Sequence, residues 1–241
     1  MRYELYYWPG LQGRGEFVRL ALEQGGADYV DVARAPGRGM PALEHFLEDQ
    51  SVARPPFAPP FLKAGELLIG QTPNILLYLG PRLGLAPADE AGRLWAHQLQ
   101  LTIADLVAEV HDSHHPIAAG LYYEDQREEA ARRAADLTAA RLPKFLGYFE
   151  RVLERNPDGE RHAVGAALSY VDLSLFQLVV GLKYAFPRTM RRLMPDHPRL
   201  AALQRRVARL PRIAAYLKSR RRQPFNQTGI FRHYPELDRP A

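Results

Sequence analysis

The stretch that decides the fold reads FAPPFLKAGELLIGQTPNILLYLG and covers residues 57–80. It contains a strand entered by Pro59-Pro60, a turn at Ala64-Gly65 and a second short apolar run that returns as the next strand. A helix follows, because Thr72 is a favoured N-cap residue and the proline after it suits the first turn. The stretch therefore predicts two strands followed by a helix that ends at Gly80-Pro81.

Four more segments precede this stretch. Residues 3–8 form a β-rich run, and residues 16–24 carry apolar side chains at helical spacing up to the stop at Gly25-Gly26. A second β-prone run covers residues 29–32, and a short helix is expected over residues 41–48. The order β-α-β-α-β-β-α predicts a small α/β unit with a mixed, four-stranded sheet.

The rest of the chain predicts helices. Residues 99–110 carry an amphipathic stripe, and residues 124–154 form a second long helical pattern that Pro143 is expected to bend. Ser169 and Asp172 form a capping pattern before the most apolar run of the chain. That run is expected to be a buried central helix.

Prolines and glycines cluster near residues 81–90, where a boundary between two domains is expected. We therefore predict an α/β domain over residues 1–81, a linker over residues 82–90 and an all-helical domain over residues 91–241. A chain of 241 residues is long enough to fill two such cores.

The composition excludes several chemistries. The absence of cysteine rules out disulfides, thiolate metal sites, a cysteine nucleophile and a redox pair of cysteines. No run approaches the ~18 apolar residues of a membrane-spanning helix, and the N-terminus lacks the apolar core of a signal peptide. A cytoplasmic protein with no membrane partner is therefore expected.

The net charge is positive but modest. Lysine and arginine number 32 against 27 aspartates and glutamates, which gives a formal charge of +5. Residues 220–222 are three consecutive arginines, and such a cluster more often complements a helix end than binds nucleic acid. Because no nucleic-acid-binding motif accompanies it, nucleic acid is not expected as a partner.

The expected helix start at Thr72 is a candidate binding feature. Free backbone N–H groups and a partial positive charge at a helix N-terminus can bind a carboxylate, although a plain capped helix explains the same residues. The segment before it adds a second feature. A cis proline at Pro60 would expose the backbone N–H and C=O of the preceding residue to a peptide ligand.

These residues resemble the glutathione S-transferases, and the resemblance covers nearly the whole chain. Seven segments carry it, in this order: Tyr7-Trp8-Pro9, Gly13-Arg14-Gly15, Phe57 through Leu62, Gly65-Glu66-Leu67, Gln71-Thr72, Ile75 through Gly80, and Ser169-Tyr170-Val171-Asp172. The resemblance implies a thioredoxin-like domain that binds glutathione, followed by an all-helical domain that supplies most of the second-substrate pocket.

The resemblance also implies which residues bind glutathione. Pro60 would be the cis-proline, and the backbone of Pro59 would pair with the cysteinyl part of glutathione. Gln71 and Thr72 would hold the γ-glutamyl carboxylate, and Arg14 would add a positive charge at the same end. Trp8 is assigned to the same site.

A homodimer is a further implication of the resemblance. Asp105 matches an acidic residue that in many relatives reaches across a dimer to the γ-glutamyl amine, although an ordinary solvent-facing aspartate is an equal alternative. The glycyl carboxylate of glutathione needs a cation as well. Three candidates remain open: Arg34, Arg38 and Arg54.

Tyr7 is the candidate catalytic residue. In tyrosine-type relatives a hydroxyl at the end of the first strand donates a hydrogen bond to the glutathione sulfur. The thiolate is the nucleophile, and lowering a thiol pKa of about 8.5 by about two units requires roughly 2.7 kcal/mol, within reach of a charge-assisted hydrogen bond. Tyr6 is an alternative donor, since a shift of one residue exchanges the two strand faces, and a different activating group also stays open.

Residues 111–115 read His-Asp-Ser-His-His and allow two interpretations. His111 and His115 are four apart, as two zinc ligands on one helical face are, but no third ligand follows at a recognisable spacing, so no metal is expected. The resemblance instead assigns His111 and His115 to the second-substrate pocket. Ordinary polar residues at a helix end are an equally good explanation.

The function implied is that of a glutathione S-transferase. Such an enzyme activates glutathione, its co-substrate, as a thiolate and conjugates it to a small hydrophobic electrophile, with no metal. Two alternatives are a non-catalytic binding or interaction protein of the same fold and a glutathione-dependent isomerase or lyase.

Overall fold

The computed structural model describes residues 1–238, and its first part is built around a four-stranded sheet. The strands are β1 (Tyr3–Tyr6), β2 (Tyr29–Asp31), β3 (Phe61–Ala64) and β4 (Leu67–Gly70), in the order β2-β1-β3-β4. The pair β1–β2 is parallel, whereas β1–β3 and β3–β4 are antiparallel. The predicted mixed sheet is confirmed.

Three helices cover the two faces of this sheet. Because side chains alternate along β1, Leu5 packs on one face with α1 (Gly15–Gly25) and α3 (Thr72–Arg82). Tyr6 packs on the other face with α2 (Gly39–Glu48). Neighbouring residues of one strand therefore belong to separate apolar clusters.

Two boundaries differ from the prediction. The β-rich run was expected to reach residue 8, but β1 ends at Tyr6, so Tyr7 begins the loop that follows. The α3 helix was expected to end at Gly80-Pro81, yet it continues to Arg82. A proline near the last turn removes one helical hydrogen bond and leaves most of the helix intact, which explains why Pro81 is accommodated.

The second part of the structure is helical. Its helices over residues 90–218 are α4 (Glu90–Asp112), α5 (Arg127–Asp136), α6 (Leu142–Glu154), α7 (Tyr170–Ala185), α8 (Pro187–Leu193), α9 (Pro198–Arg209) and α10 (Pro211–Lys218). The connection from α3 to α4 passes through residues 83–89. The domain limits of 1–81, 82–90 and 91–241 stay a prediction.

A π-helical turn, Leu137–Arg141, joins α5 directly to α6. The sequence predicted one helical pattern over residues 124–154 with a bend at Pro143. The irregularity instead lies before Pro143, which occupies the first turn of α6, where a missing N–H costs little.

The α7 helix is the buried centre of the helical part, as predicted. Its start is stabilised by Asp172, whose Oδ2 accepts hydrogen bonds from the backbone nitrogen of Ser169 at 2.7 Å and from the Ser169 hydroxyl at 2.9 Å. The other carboxylate oxygen of Asp172 accepts from the nitrogen of Ala163 at 2.8 Å. The capping pattern of residues 169 and 172 is thus confirmed.

The segment after α10 packs back onto the rest of the structure. Residues 219–238, named here the C-terminal strap, contain one short 3-10 turn at Pro235–Leu237 and return to the α/β part and to the end of α4. Across the described residues, no helix combines the length and the apolar character needed to cross a membrane.

Candidate active site

A cavity of about 330 Å³ lies between the α/β part and α4. Small-molecule sites typically have volumes of about 300–1,000 Å³, so this cavity can hold a compact ligand. The α/β part contributes Arg14, Phe17, Phe57, Ala58, Pro59, Pro60, Gln71, Thr72 and Pro73, and α4 contributes Gln100, Ile103, Ala104 and Val107. One wall therefore presents loops and a helix start, and the other is mainly apolar.

The start of α3 forms the polar end of the cavity. Thr72 was expected to be the N-cap residue, but that position is held by Gln71, and Thr72 is the first helical residue. Gln71 has a φ of 69°, a conformation that is uncommon for a residue other than glycine. The hydroxyl of the buried Thr72 donates to the carbonyl of Arg14 at 3.3 Å, which ties this helix start to the loop after β1.

The peptide bond between Pro59 and Pro60 is cis, and both residues line the cavity beside Gln71. The sequence prediction of a two-bond backbone pairing at residue 59 requires a correction. A proline has no N–H, so Pro59 can accept a hydrogen bond through its carbonyl but cannot donate one. This limit was readable from the residue type alone.

Tyr7 lies just behind the cavity wall formed by Arg14. Its hydroxyl oxygen accepts a 2.8 Å hydrogen bond from the backbone nitrogen of Arg14, and its side chain is 4% exposed. Within residues 1–238 that hydroxyl donates its own proton to no protein acceptor. Burial raises the pKa of Tyr7, so the phenol stays protonated and can serve as a donor.

Tyr6 is engaged on the opposite face of the sheet. Its hydroxyl donates to Oε2 of Glu4 at 2.7 Å, and its ring stacks on Phe61 with a centroid distance of 4.6 Å. Burial and the hydrogen bond to Glu4 raise the pKa of Tyr6. Its proton is therefore committed to a carboxylate and lies away from the cavity.

The remaining assigned residues do not line the cavity. Trp8 is exposed on the loop after β1, and Asp105 is exposed on α4 one residue beyond the lining residue Ala104. His111 lies one helical turn beyond Val107, the last α4 residue in the wall, and His115 follows it.

Three histidines form a cluster at the end of α4. The rings of His111 and His115 stack at 4.9 Å, and Nδ1 of His114 lies 2.6 Å from Nδ1 of His115. Nε2 of His114 lies 2.8 Å from the carbonyl oxygen of Ile230 in the C-terminal strap, so this nitrogen carries the proton. The pair contact then requires Nδ1 of His115 to donate, which leaves Nε2 of His115 as an acceptor.

This histidine cluster is uncharged at neutral pH. Burial is the largest cause that lowers the pKa of His114 to about 3 and that of His111 to about 4. The charges of Arg232 and, for His111, Arg14 act in the same direction. Among the described residues, no group of three or more His, Cys, Asp or Glu side chains is arranged to hold a metal ion, here or elsewhere.

Two of the three candidate arginines have other partners. Arg34 donates to the carbonyl oxygens of Arg221 at 2.6 Å and Arg220 at 3.2 Å, and Arg38 donates to Glu4 at 3.1 Å. Arg54 is exposed and makes no ion pair with any residue in the range 1–238.

Gln100 is a cavity residue that sequence reasoning missed. It is 1% exposed, and its buried Oε1 has no hydrogen-bond partner among the described residues. Gln100 is a polar residue beside the apolar stripe of α4, between Leu99 and Ile103, and this position is the sequence signal that would have identified it. An unpaired acceptor in a cavity wall is suited to a donor on a bound ligand.

Comparisons with known proteins agree with this geometry. A family model described as "Glutathione S-transferase, C-terminal domain" matches residues 111–220. The glutathione S-transferase of Plasmodium falciparum is 25% identical over 222 residues, covering 90% of this chain and 95% of the relative. Glutathione S-transferase P 1 of Xenopus laevis is 27% identical over 223 residues, covering 90% and 92%.

The fold is also that of solved structures. Prostaglandin synthase D of Nilaparvata lugens superposes with a TM-score of 0.70 at 18% identity, covering 91% of this chain and 98% of that one. The architecture is a thioredoxin-like domain followed by a helical domain. The chain is therefore similar to the cytosolic glutathione S-transferases, over residues 111–220 by the family model and over 90% of its length by these two relatives.

Proposed function

We propose that this protein is a glutathione transferase that activates glutathione as a thiolate and conjugates it to a small hydrophobic electrophile in the cytoplasm. The observation that carries the proposal is the Tyr7 hydroxyl. It accepts from the Arg14 backbone nitrogen behind the cavity wall and keeps its proton for a bound acceptor. The relatives that match nearly the whole chain are glutathione S-transferases, which supports the same chemistry.

Glutathione is expected to lie with its γ-glutamyl carboxylate at the start of α3. The N–H groups there and the helix dipole favour an anion, and Gln71 and Thr72 both line this end of the cavity. Arg14 adds a positive charge beside them. The carbonyl of Pro59 accepts one hydrogen bond from the cysteinyl part, and Trp8 covers the outer side of the loop.

The other charged ends of glutathione need partners as well. The γ-glutamyl amine is a donor, and the unpaired Oε1 of Gln100 is an acceptor inside the same cavity. Asp105 serves the same amine from the partner subunit of a homodimer. Arg54 is assigned to the glycyl carboxylate, because Arg34 and Arg38 are held by other groups.

The hydroxyl of Tyr7 stabilises the thiolate by donating a hydrogen bond to sulfur. A shift of about two pK units in the bound thiol corresponds to roughly 2.7 kcal/mol, and a donor in a dry site supplies energy of this order. The raised pKa of Tyr7 keeps the phenol protonated while the thiol ionises. The proton lost from the thiol leaves to solvent.

The electrophile is expected to bind against α4. Ile103 and Val107 make that wall apolar, which selects a hydrophobic molecule. His111 lies on the same helix beyond the wall and His115 follows the end of that helix, so both are placed to contact the far end of a longer electrophile. The neutral His115 would accept a hydrogen bond there through Nε2.

A homodimer is part of the proposal because large apolar side chains are exposed beside the cavity. Phe57 is 95% exposed on the segment before Pro59, and Leu101 is exposed on α4. An exposed apolar patch at a cavity rim is typical of a protein–protein interface. A second copy of the chain is expected to cover it.

The test is the ultraviolet thiolate band of bound glutathione at about neutral pH, well below the pKa of about 8.5 of a free thiol. We expect the band with the wild-type protein and its loss with Tyr7→Phe, while glutathione affinity changes little. Tyr6→Phe is the matched control and should keep the band, because its hydroxyl faces Glu4. If the wild type binds glutathione without the band, it is a binding protein and not a transferase.

A further inference from the structure

The C-terminal strap delivers an arginine to a buried carboxylate at the start of α1. Nη1 of Arg222 lies 2.6 Å from Oε1 of Glu16, a residue with no exposed surface, and the Arg222 side chain is 11% exposed. The Tyr216 hydroxyl donates to the same oxygen at 2.9 Å. Glu16 follows Gly15 at the point where the loop after β1 enters α1.

The strap also bonds to the loop after β1. Residues 10–14 of that loop, which lie between Tyr7 and α1, are named here the Tyr7 loop. Nη2 of Arg222 lies 3.4 Å from Oε1 of Gln12, and Nε2 of Gln12 donates to the carbonyl of Gln223 at 2.6 Å. Nδ2 of Asn226 donates to the carbonyl of Gly10 at 2.8 Å. The strap therefore contacts this loop at two residues, Gly10 and Gln12.

Among the strap contacts, the Arg222–Glu16 pair is expected to contribute most to the stability of the start of α1, because both charges are buried. Glu16 has a second cation, Arg19, whose Nη1 lies 3.4 Å away, but the Nε of Arg19 is bound more closely to Asp31 at 2.7 Å. Asp31 also pairs with Arg34 at 3.4 Å, whereas Glu16 without Arg222 would keep only the more distant Arg19. An uncompensated buried charge is costly, so the start of α1 would rearrange or admit water.

Glu16 is only two residues along the chain from Arg14, whose backbone nitrogen is bonded to the Tyr7 hydroxyl, so a rearrangement at Glu16 is expected to displace that nitrogen. The backbone nitrogen of Glu16 donates to the carbonyl of Gln12 at 3.0 Å, which closes the turn that contains Arg14. The nitrogen of Arg14 is the donor to the Tyr7 hydroxyl. The chain of contacts therefore runs from Arg222 through Glu16 and the turn to the atom proposed to activate the thiol.

We propose that Arg222 is a positioning residue for thiol activation: it holds the Tyr7 loop, through Glu16 and Gln12, in the shape that presents the Tyr7 hydroxyl. Arg222 touches neither the cavity nor the reacting sulfur. Its role rests on the proposed function, because it serves the hydroxyl to which that function assigns the chemistry.

The experiment compares Arg222→Met with Arg221→Met in the full-length protein. Arg221 is the matched control, since its side chain is 63% exposed and pairs with Glu23, later on α1. The first readout is hydrogen exchange of the Arg14 amide without ligand. The second is the pKa of bound glutathione from its thiolate band. We expect exchange at least about tenfold faster and a thiol pKa raised by about one unit in Arg222→Met, with Arg221→Met unchanged.

The two readouts separate the possible failures. Wild-type exchange of the Arg14 amide in folded Arg222→Met would overturn the positioning role, whatever the activity. An unchanged thiol pKa together with faster exchange would also overturn it. A wild-type protein that shows no thiolate band would instead refute the proposed function. If Arg222→Met does not fold, Arg222→Lys keeps one cation but loses the planar guanidinium that reaches both Glu16 and Gln12, and unchanged exchange in that variant contradicts the proposal.

Discussion

The ring of Tyr7 lies directly against the backbone of Gly15. A Cβ atom on Gly15 would sit 2.6 Å from the Tyr7 ring, and one on Gly13 would sit 2.0 Å from the Tyr7 hydroxyl oxygen. Gly13 also has a φ of 45°, in the left-handed region that favours glycine. The backbone nitrogen of Arg14 therefore reaches the Tyr7 hydroxyl because Gly13 and Gly15, on either side of Arg14, have no side chains.

Gly15→Ala is expected to displace the Tyr7 ring and to lower the conjugation rate by at least about tenfold, with a stability loss of about 1–3 kcal/mol from overpacking. Steady-state kinetics and chemical denaturation measure the two effects. Gly120→Ala is the control, because open space surrounds Gly120 and neither quantity should change. Normal kinetics in Gly15→Ala would show that the ring position is not needed.

The pH dependence of conjugation should show one rising limb. Thiol ionisation raises kcat/KM with pH, and its midpoint should lie below the pKa of about 8.5 of a free thiol. Burial raises the pKa of Tyr7, so the phenol stays protonated and the rate should not fall between about pH 9 and 10. A falling limb in that range, in protein shown to be folded by circular dichroism, would contradict the assigned protonation state.

Gln100→Met should weaken glutathione binding and stabilise the protein. The unpaired Oε1 of Gln100 is a buried acceptor, and such a group costs about 1–3 kcal/mol until a ligand pairs with it. We expect the Kd for glutathione to rise by roughly tenfold and the free energy of unfolding to increase by about 1 kcal/mol. Calorimetry and chemical denaturation measure these values, and unchanged glutathione affinity would remove Gln100 from the site.

Phe57→Ser should weaken the proposed homodimer. Phe57 is 95% exposed at the cavity, and losing its burial in the dimer should raise the dimer Kd by at least about tenfold. Light scattering at several protein concentrations follows the dissociation. Ile117→Ser, which removes another exposed apolar side chain at a distance along the chain, is the control. A wild-type protein that is monomeric at all concentrations would refute the dimer.

The histidine cluster should make the protein sensitive to acid. Burial lowers the pKa of His114 to about 3 in the fold, against about 6.5 for an ordinary histidine, so the unfolded chain binds more protons between these values. The unfolding free energy should therefore fall as the pH drops below about 6.5, by up to about 1.4 kcal/mol per pH unit for each such histidine, with no contribution above that pH. His111, His115 and Arg232 face His114 and disfavour its charged form.

His114→Gln should flatten this pH dependence, and denaturation at several pH values measures the slope. His45 is the matched control, since its side chain is 64% exposed and lies on α2. His45→Gln should keep the wild-type slope. An equal slope in His114→Gln and the wild type would show that other groups cause the acid sensitivity.

Much of the fold could be predicted because local patterns and the final packing agree. The order of segments over residues 3–80 predicted the mixed four-stranded sheet, and the capping pair Ser169 and Asp172 marked the buried helix. The exceptions are positions where tertiary contacts override local preference. Gln71 holds an unfavourable φ at the helix start, and Pro81 is carried along inside the last turn of α3.

Less of the candidate site than of the fold could be predicted from the sequence. The segments that line the cavity were identified, but the partners of Tyr7 and Glu16 were not. A glutamate in a helical pattern normally predicts an exposed position, since charged side chains are rarely buried without a partner. The partner that allows Glu16 to be buried, Arg222, is 206 residues away in the chain. No local window contains both, so the burial of that pair could be found only in three dimensions.

The strap contacts also set an order of events during synthesis. The sheet and the residues of the Tyr7 loop emerge first, yet Gln12 receives its partner Gln223 only after 211 more residues have been added. A chain that has not reached residue 222 already contains the sheet and both walls of the cavity, but its Tyr7 loop lacks the bonds to the strap. Under the proposed function, the strap's part in thiol activation would therefore follow the folding of the cavity walls, as the last step of a long-range closure.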